Sequence, residues 1–127
     1  MLTKADILRQ LDNPLLDKGR YWLTAGGALV LYGLRETTQD IDLGCASSLA
    51  DELETAGCAA VRKPDGTRKL HLPPDIDLFE DWGRGTVRLV EGVPTVSPED
   101  LLRLKLCLNR PKDQPDIEKL KALLGRE

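Results

Sequence analysis

The stretch from Thr24 to Leu43, Thr-Ala-Gly-Gly-Ala-Leu-Val-Leu-Tyr-Gly-Leu-Arg-Glu-Thr-Thr-Gln-Asp-Ile-Asp-Leu, constrains the fold of this chain more than any other segment. Tyr21 to Ala25 is short, apolar and bounded by glycine, which reads as a buried strand. Gly26-Gly27 breaks it, and Gly27 to Gly33 reads as a short helix opening at the glycines. Asp40 to Cys45 then returns as a second strand. Alternation along that strand sends Ile41 and Leu43 into a core and leaves Asp40 and Asp42 together on the opposite face, ~6.5–7 Å apart at Cα. Strand, tight turn, helix and strand in so short a span require a sheet with helices packed on it.

The rest of the chain supplies the other layers. Thr3-Lys-Ala-Asp6 reads as a capping box ahead of an apolar stripe of Ile7, Leu8 and Leu11. Ser48 to Asp51 opens another helix that Gly57 ends. Ala59–Arg62, Lys69–Leu72, Asp75–Phe79, Thr86–Val90 and Val93–Val96 are strand candidates. They are separated by turns at Pro64-Asp-Gly66 and Trp82-Gly-Arg-Gly85. Ser97-Pro-Glu-Asp100 is the clearest helix start, with serine as N-cap and proline at N1, and its helix runs to about Leu108. A last helix follows from about Asp113, with Ile117, Leu120, Leu123 and Leu124 as its apolar stripe. The expectation is one α/β domain over residues 1–127, a mixed β-sheet flanked by helices. Residues 21–43 form its core motif and 97–124 a two-helix C-terminal segment.

A length of 127 residues suits one core. A formal net charge of −3 argues against general nucleic-acid coating, though a local basic cleft stays compatible with it. No apolar run approaches the ~20 residues of a membrane span, and the N-terminus lacks the apolar segment of a signal peptide. Cys45, Cys58 and Cys107 form no CxxC pair and suit a reducing cytosol, so a cytoplasmic protein with no membrane partner is expected. His71 is the sole histidine, which excludes a multi-histidine metal site, and it reads as a strand surface residue.

Two carboxylates on one strand face repel each other, and a bound cation relieves the repulsion. Aspartate is also a poor strand former, so two of them in an apolar strand need a reason. Mg²⁺ takes carboxylate oxygens together with substrate phosphates and water. Gly26 and Gly27 at a helix start let a phosphate approach the backbone. Lys105 falls near the middle of the apolar face made by Leu101, Leu102, Leu104, Leu106 and Leu108. A lysine there must snorkel, pair with an acid or reach into a cleft. Arg35 lies just upstream of Asp40, as a phosphate clamp or as a surface residue. Arg110 and Lys112 read equally as helix-end charges or as site cations. Asp113 and Asp116 read as caps of the last helix, Glu80 and Asp81 as solvated loop charges.

Twelve residues separate Gly27 from Asp40. Gly-Gly, a spacer of roughly nine to thirteen residues, then Asp-apolar-Asp-apolar resembles the pattern of the polymerase-β-like nucleotidyltransferase superfamily. The fuller string through Tyr32-Gly33, Arg35 and Asp40-Ile-Asp-Leu43 is similar to small bacterial nucleotidyltransferases of toxin–antitoxin and abortive-infection systems. More distantly it is similar to small antibiotic nucleotidyltransferases and the head of CCA-adding enzymes. Ser97 to Lys105, then Arg110, Lys112, Asp113 and Asp116, resembles the C-terminal signature of the same small transferases.

The resemblance implies a nucleotidyltransferase fold and a metal-dependent enzyme. Its reaction moves a nucleoside monophosphate from a nucleoside triphosphate such as ATP to an acceptor hydroxyl, releasing pyrophosphate. Gly26, Gly27, Arg35 and Lys105 would bind the nucleotide, Lys105 meeting triphosphate or pairing with the acidic cluster. Asp40 and Asp42 would hold Mg²⁺ or Mn²⁺. A third acid is implied, and Asp75 and Asp77 are both candidates as metal ligand or base. Asp77, between Ile76 and Leu78, is the better match, because Asp75 follows two prolines at the strand's entrance. The acceptor, whether protein, RNA or small molecule, is left open. It would sit across a homodimer cleft or on a cognate toxin or antitoxin. The alternative is a catalytically inactive partner, antitoxin-like or nucleotide-binding, that keeps the fold.

Overall fold

The computed structural model describes residues 1–126. In chain order it contains α1 (Lys4–Leu11), β1 (Tyr21–Thr24), α2 (Ala25–Leu31), β2 (Ile41–Cys45), α3 (Ser47–Thr55), β3 (Ala59–Arg62) and β4 (Arg68–Leu72). β5 (Ile76–Glu80), β6 (Val87–Val90), β7 (Val93–Val96) and α4 (Pro98–Leu108) follow, then a 3₁₀ turn (Pro111–Asp113) and α5 (Gln114–Gly125). The strands make one mixed sheet of seven, in the order β3-β4-β5-β2-β1-β7-β6. β2 runs parallel to β5 and β1 parallel to β7, and the remaining neighbours are antiparallel.

Local signals account for the starts of α1 and α4. Thr3 and Asp6 close a reciprocal capping box at α1. Ser97 accepts from the Asp100 N–H at the start of α4, with Pro98 inside the first turn. Gly57 sits just past α3 at φ +98°, where an L side chain would be strained. α3 itself begins one residue before the serine expected to cap it, with Ala46 at the N-cap and no side-chain cap bond.

The sheet has a covered face and an open one. Leu23, Leu43, Leu70, Leu78 and Ile76 are almost fully buried and lie on one face in register. α2 packs there through Gly27, where a Cβ would come within 2.9 Å of Leu23 Cδ1. α3 packs there through Arg68, whose guanidinium reaches Asp51, Glu54 and the Ser47 carbonyl. α1 packs in turn on α2. On the other face the cross-strand rungs are Thr24–Asp42–Asp77–His71–Ala59 and Trp22–Gly44–Phe79–Lys69–Val61. α4 and α5 pack on each other, and α4 leans over the β1–β2 end of this second face.

Glu80 is not a loop charge. β5 runs one residue further than its apolar pattern, so Glu80 falls on the covered face with 8% exposure. It accepts the Arg68 backbone N–H at 3.0 Å and two guanidinium N–H groups at 3.1 and 2.7 Å. Those bonds hold its carboxyl down at about 2. Among the described residues, no helix is long and apolar enough to cross a membrane.

Candidate functional site

Parallel pairing of β2 with β5 sets Asp42 directly beside Asp77. Asp40 lies two residues earlier, just outside β2 rather than within the strand as its spacing suggested, and its exposed side chain turns back to the same place. Carboxylate oxygens of Asp40, Asp42 and Asp77 all lie within 4.8 Å of one another. The cluster is electrostatically costly. Burial first, then the negative charges of Asp40 and Asp77, push the Asp42 carboxyl up to about 6, with Lys69 opposing.

Asp75 is not part of it. It lies in the turn before β5, where strand alternation does not apply. Its carboxylate takes the Gln10 side-chain N–H at 2.8 Å, and its backbone N–H reaches Gln10 Oε1 at 3.3 Å, so it ties the sheet to α1. Asp77 has another neighbour instead: His71 Nδ1, across the antiparallel rung on β4, lies 3.0 Å from Asp77 Oδ1. His71 is on the strand surface as read from sequence, but its contact with the acidic cluster had no sequence signal, since it depends on β4–β5 register.

Opposite the acids stands a basic wall. Lys105 Nζ lies 3.2 Å from Asp113 and 3.3 Å from Asp116, and does not pair with Asp40, Asp42 or Asp77 in this state. Arg35 grips Asp116 with two N–H groups at 3.2 and 2.6 Å. Arg110 does the same to Asp113 at 2.8 and 3.1 Å. Asp113 and Asp116 are therefore buried struts, 1% and 3% exposed, rather than simple caps. The Arg110 guanidinium, with Lys105 behind it, holds Asp113 well below the usual carboxylate range. Burial works to raise Asp116, but Arg35 and Lys105 outweigh it and hold it low. Three cations share two carboxylates, and Lys112 adds a further positive charge at the rim.

Acids and bases face each other across a divided cleft. One part, about 460 Å³, is lined by Asp40, Asp42, Trp82, Leu101, Leu104 and Lys105 among others. The other, about 300 Å³, is lined by Gly26, Arg35, Thr38, Asp40, Lys105 and Arg110 among others. Both share Gln39, Asp40, Lys105, Arg110 and Lys112. These volumes suit a small-molecule site.

The two glycines divide their work. Gly26 lines the cleft, and a Cβ there would overlap Thr38 Oγ1 and come within 2.9 Å of Arg35 Nη1. Gly27 is buried against Leu23 and serves packing. α2 has only seven residues, so the cleft's positive charge comes from the side chains of the basic wall. Ala25, at the turn from β1 into α2, has φ +55° and also lines the cleft.

Trp82 lines the cleft. It is half-buried, and the residue that fixes it is Gly44. A Cβ on Gly44 would overlap both Trp22 and the Trp82 carbonyl. Its absence lets Trp22 Nε1 donate to that carbonyl at 2.9 Å, which seats Trp82 over the sheet at the cleft's edge.

An all-oxygen cluster of three carboxylates, one of them strained by its neighbours' charge, fits a hard divalent cation such as Mg²⁺ or Mn²⁺. No protein-family model matches the chain, and no curated protein matches it significantly.

Proposed function

We propose that this chain is a nucleotidyltransferase of the polymerase-β-like kind, binding a nucleoside triphosphate with Mg²⁺ and passing its monophosphate to an acceptor hydroxyl. The observation that carries this reading is the opposition, across one cleft, of the Asp40–Asp42–Asp77 cluster and the Arg35–Lys105–Arg110–Lys112 wall. A triphosphate carries negative charge that the wall can meet, while a divalent cation is what three crowded carboxylates lack.

Asp40 and Asp42 would hold the metal, with Asp77 completing the set. When bound, the metal supplies charge neutralisation at the reacting phosphate and acidifies the acceptor hydroxyl. Arg35, Lys105 and Arg110 orient the triphosphate, and Gly26, with no Cβ, lets Arg35 and Thr38 close in beside it at the cleft wall. The acceptor oxygen forms a bond to the α-phosphorus as the α–β bridging bond breaks and pyrophosphate departs. The hydroxyl proton passes to the Asp77 carboxylate, whose Oδ1 is already engaged by His71. Positioning and charge neutralisation supply the catalysis.

The test is titration of the protein with each Mg-NTP by calorimetry, with Asp42→Asn as control, followed by a pyrophosphate-release assay with RNA, protein and aminoglycoside acceptors. Saturable Mg-dependent binding lost in Asp42→Asn supports the reading. No binding of any NTP in the presence of Mg²⁺ or Mn²⁺ overturns it.

A further inference from the structure

At the other end of β1 the structure holds a second cavity, of about 230 Å³, that shares no lining residue with the cleft. Thr24 ends β1 beside Asp42, whereas Tyr21 opens the strand about 10 Å away, on the same covered face as Leu23. Leu8 and Leu11 of α1 and Val93 of β7 line the cavity together with Tyr21, so much of its wall is apolar. Tyr21 is 2% exposed, and its buried hydroxyl meets no hydrogen-bond partner among the described residues. Burial pushes the phenol up to about 12, so the group stays a donor at neutral pH. A buried hydroxyl without a partner is costly, and phenylalanine would fill the same space without that cost.

The rim carries separated charges of both signs. Asp12 is the C-cap of α1, where unpaired carbonyls and the helix dipole favour a cation rather than an acid. The basic residue of the last turn, Arg9, is turned back to Asp6 at 2.6 Å. Lys18 lies by the turn between β6 and β7, where a Cβ on Gly92 would stand 3.6 Å from its Nζ. Glu91 takes the first place of that two-residue turn at φ +52°, a place that asparagine, aspartate or glycine fills with less strain. Glu91 also lines the cavity, and its carboxylate is held by Lys4 Nζ at 3.0 Å. Among the described residues, Asp12 and Lys18 are left as one acid and one base on the rim with no side-chain partner.

We propose that this cavity binds a free α-amino acid with a branched aliphatic side chain. The ligand's ammonium meets Asp12 and the last carbonyls of α1. Its carboxylate meets Lys18 and accepts from the Tyr21 hydroxyl, and its side chain lies against Leu8, Leu11 and Val93. A simple amine would leave Lys18 and the tyrosine without a partner, and a simple carboxylate would leave Asp12 without one. A cavity of about 230 Å³ is smaller than a drug-sized site and suits a ligand of these dimensions. Occupancy of this cavity does not depend on nucleotide chemistry in the cleft.

The experiment is calorimetric titration of the whole chain with L-leucine, for which a Kd of order 0.1–1 mM is expected from so small a ligand. Isoamylamine lacks the carboxylate, isocaproate lacks the ammonium and L-alanine lacks the branched chain. Each should bind about tenfold more weakly or worse. Asp12→Asn and Lys18→Gln alter exposed side chains, and each should weaken L-leucine by about tenfold or more. Tyr21→Phe keeps the ring in the core and should weaken it roughly 2- to 12-fold. Without ligand, Tyr21→Phe should melt no lower than wild type, because it removes only a hydroxyl that has no partner. Four results overturn the proposal. They are no saturable heat with L-leucine up to about 10 mM, isoamylamine or isocaproate binding as tightly as L-leucine, L-leucine binding indifferent to all three variants, and a ligand-free Tyr21→Phe protein that melts well below wild type. The last would mean that the hydroxyl is satisfied within the fold.

Discussion

Asp42→Asn should make the metal-free protein more stable while removing its response to Mg²⁺. The Asp42 carboxyl is pushed from 3.8 up to about 6 by burial and by Asp40 and Asp77. Between those values the folded state holds a proton that the unfolded chain has already released. Stability from this group therefore falls as pH rises from about 4 to about 6, and stays low above that. A shift of two units at about 1.4 kcal/mol each sets an upper cost of ~3 kcal/mol at neutral pH. The cleft is open to water, which reduces it to ~1–2 kcal/mol. Asparagine keeps the shape and carries no charge, so it recovers that amount at about pH 8, or ~3–8 °C in Tm for a domain of this size. The gain should shrink steadily as pH falls through 6 towards 4, where the wild-type carboxyl is itself neutral. Urea unfolding at several pH values, with and without Mg²⁺, reads both effects. A ligand at 100 times its Kd adds about 2.7 kcal/mol to the state that binds it, and only wild type should show such a rise. An Asp42→Asn protein less stable than wild type at about pH 8 without divalent ions would refute the repulsion argument. Equal Mg²⁺ stabilisation of both proteins would refute the metal assignment.

Four further outcomes are expected. Arg68→Ala leaves Glu80 charged and unpaired in the core, so urea denaturation should show a loss of about 3–5 kcal/mol. In wild type the Glu80 contribution, present above its unfolded value of 4.5, should disappear as pH falls towards 2, seen as an acid limb in the stability profile that Arg68→Ala lacks. Gly27→Ala should destabilise by about 1–3 kcal/mol, because its methyl meets Leu23, whereas Ala25→Gly should be neutral or stabilising by up to about 1 kcal/mol in thermal melts, since it relieves a positive φ. Lys105→Met should weaken Mg-NTP binding by about tenfold or more in calorimetry and leave Mg²⁺ binding alone near wild type, because Lys105 stands in the basic wall and not in the acidic cluster.

The sheet was legible where periodicity and caps agreed. Thr3 with Asp6, Ser97 with Pro98, and the alternation around Ile41 and Leu43 each set an element by local chemistry alone. The misreadings arose where partners lie far apart in sequence. Glu80 looks like the first polar residue after an apolar strand, and only a buried arginine on the neighbouring strand gives it a reason to stay in the sheet. Asp113 and Asp116 look like helix starters, and one of them does sit at a helix entrance. Their burial follows from Arg35, about eighty positions upstream, and Lys105, on the preceding helix.

The candidate site shows the same division more sharply. Asp40 and Asp42 were recognisable because their relation is local: they lie two residues apart, and although Asp40 stands just ahead of β2 its carboxylate still meets that of Asp42. Parity puts Asp75 and Asp77 on one face as well, so local logic could not separate them. The choice depends on where β5 begins. The chain reaches strand geometry only at Ile76, so Asp75 is spent on Gln10 while Asp77 pairs in register with Asp42. Lys105 was conspicuous as a charge in a leucine face, yet its partner was not the acidic cluster. That separation matters for the chemistry proposed. Had Lys105 neutralised Asp40 and Asp42 directly, the acids would have had little need of a cation. Held instead by Asp113 and Asp116, the lysine leaves Asp42 strained, and the cleft keeps opposite charges apart until something bridges them. A metal-bound triphosphate is a ligand of that shape, positive where the acids are and negative where the wall is.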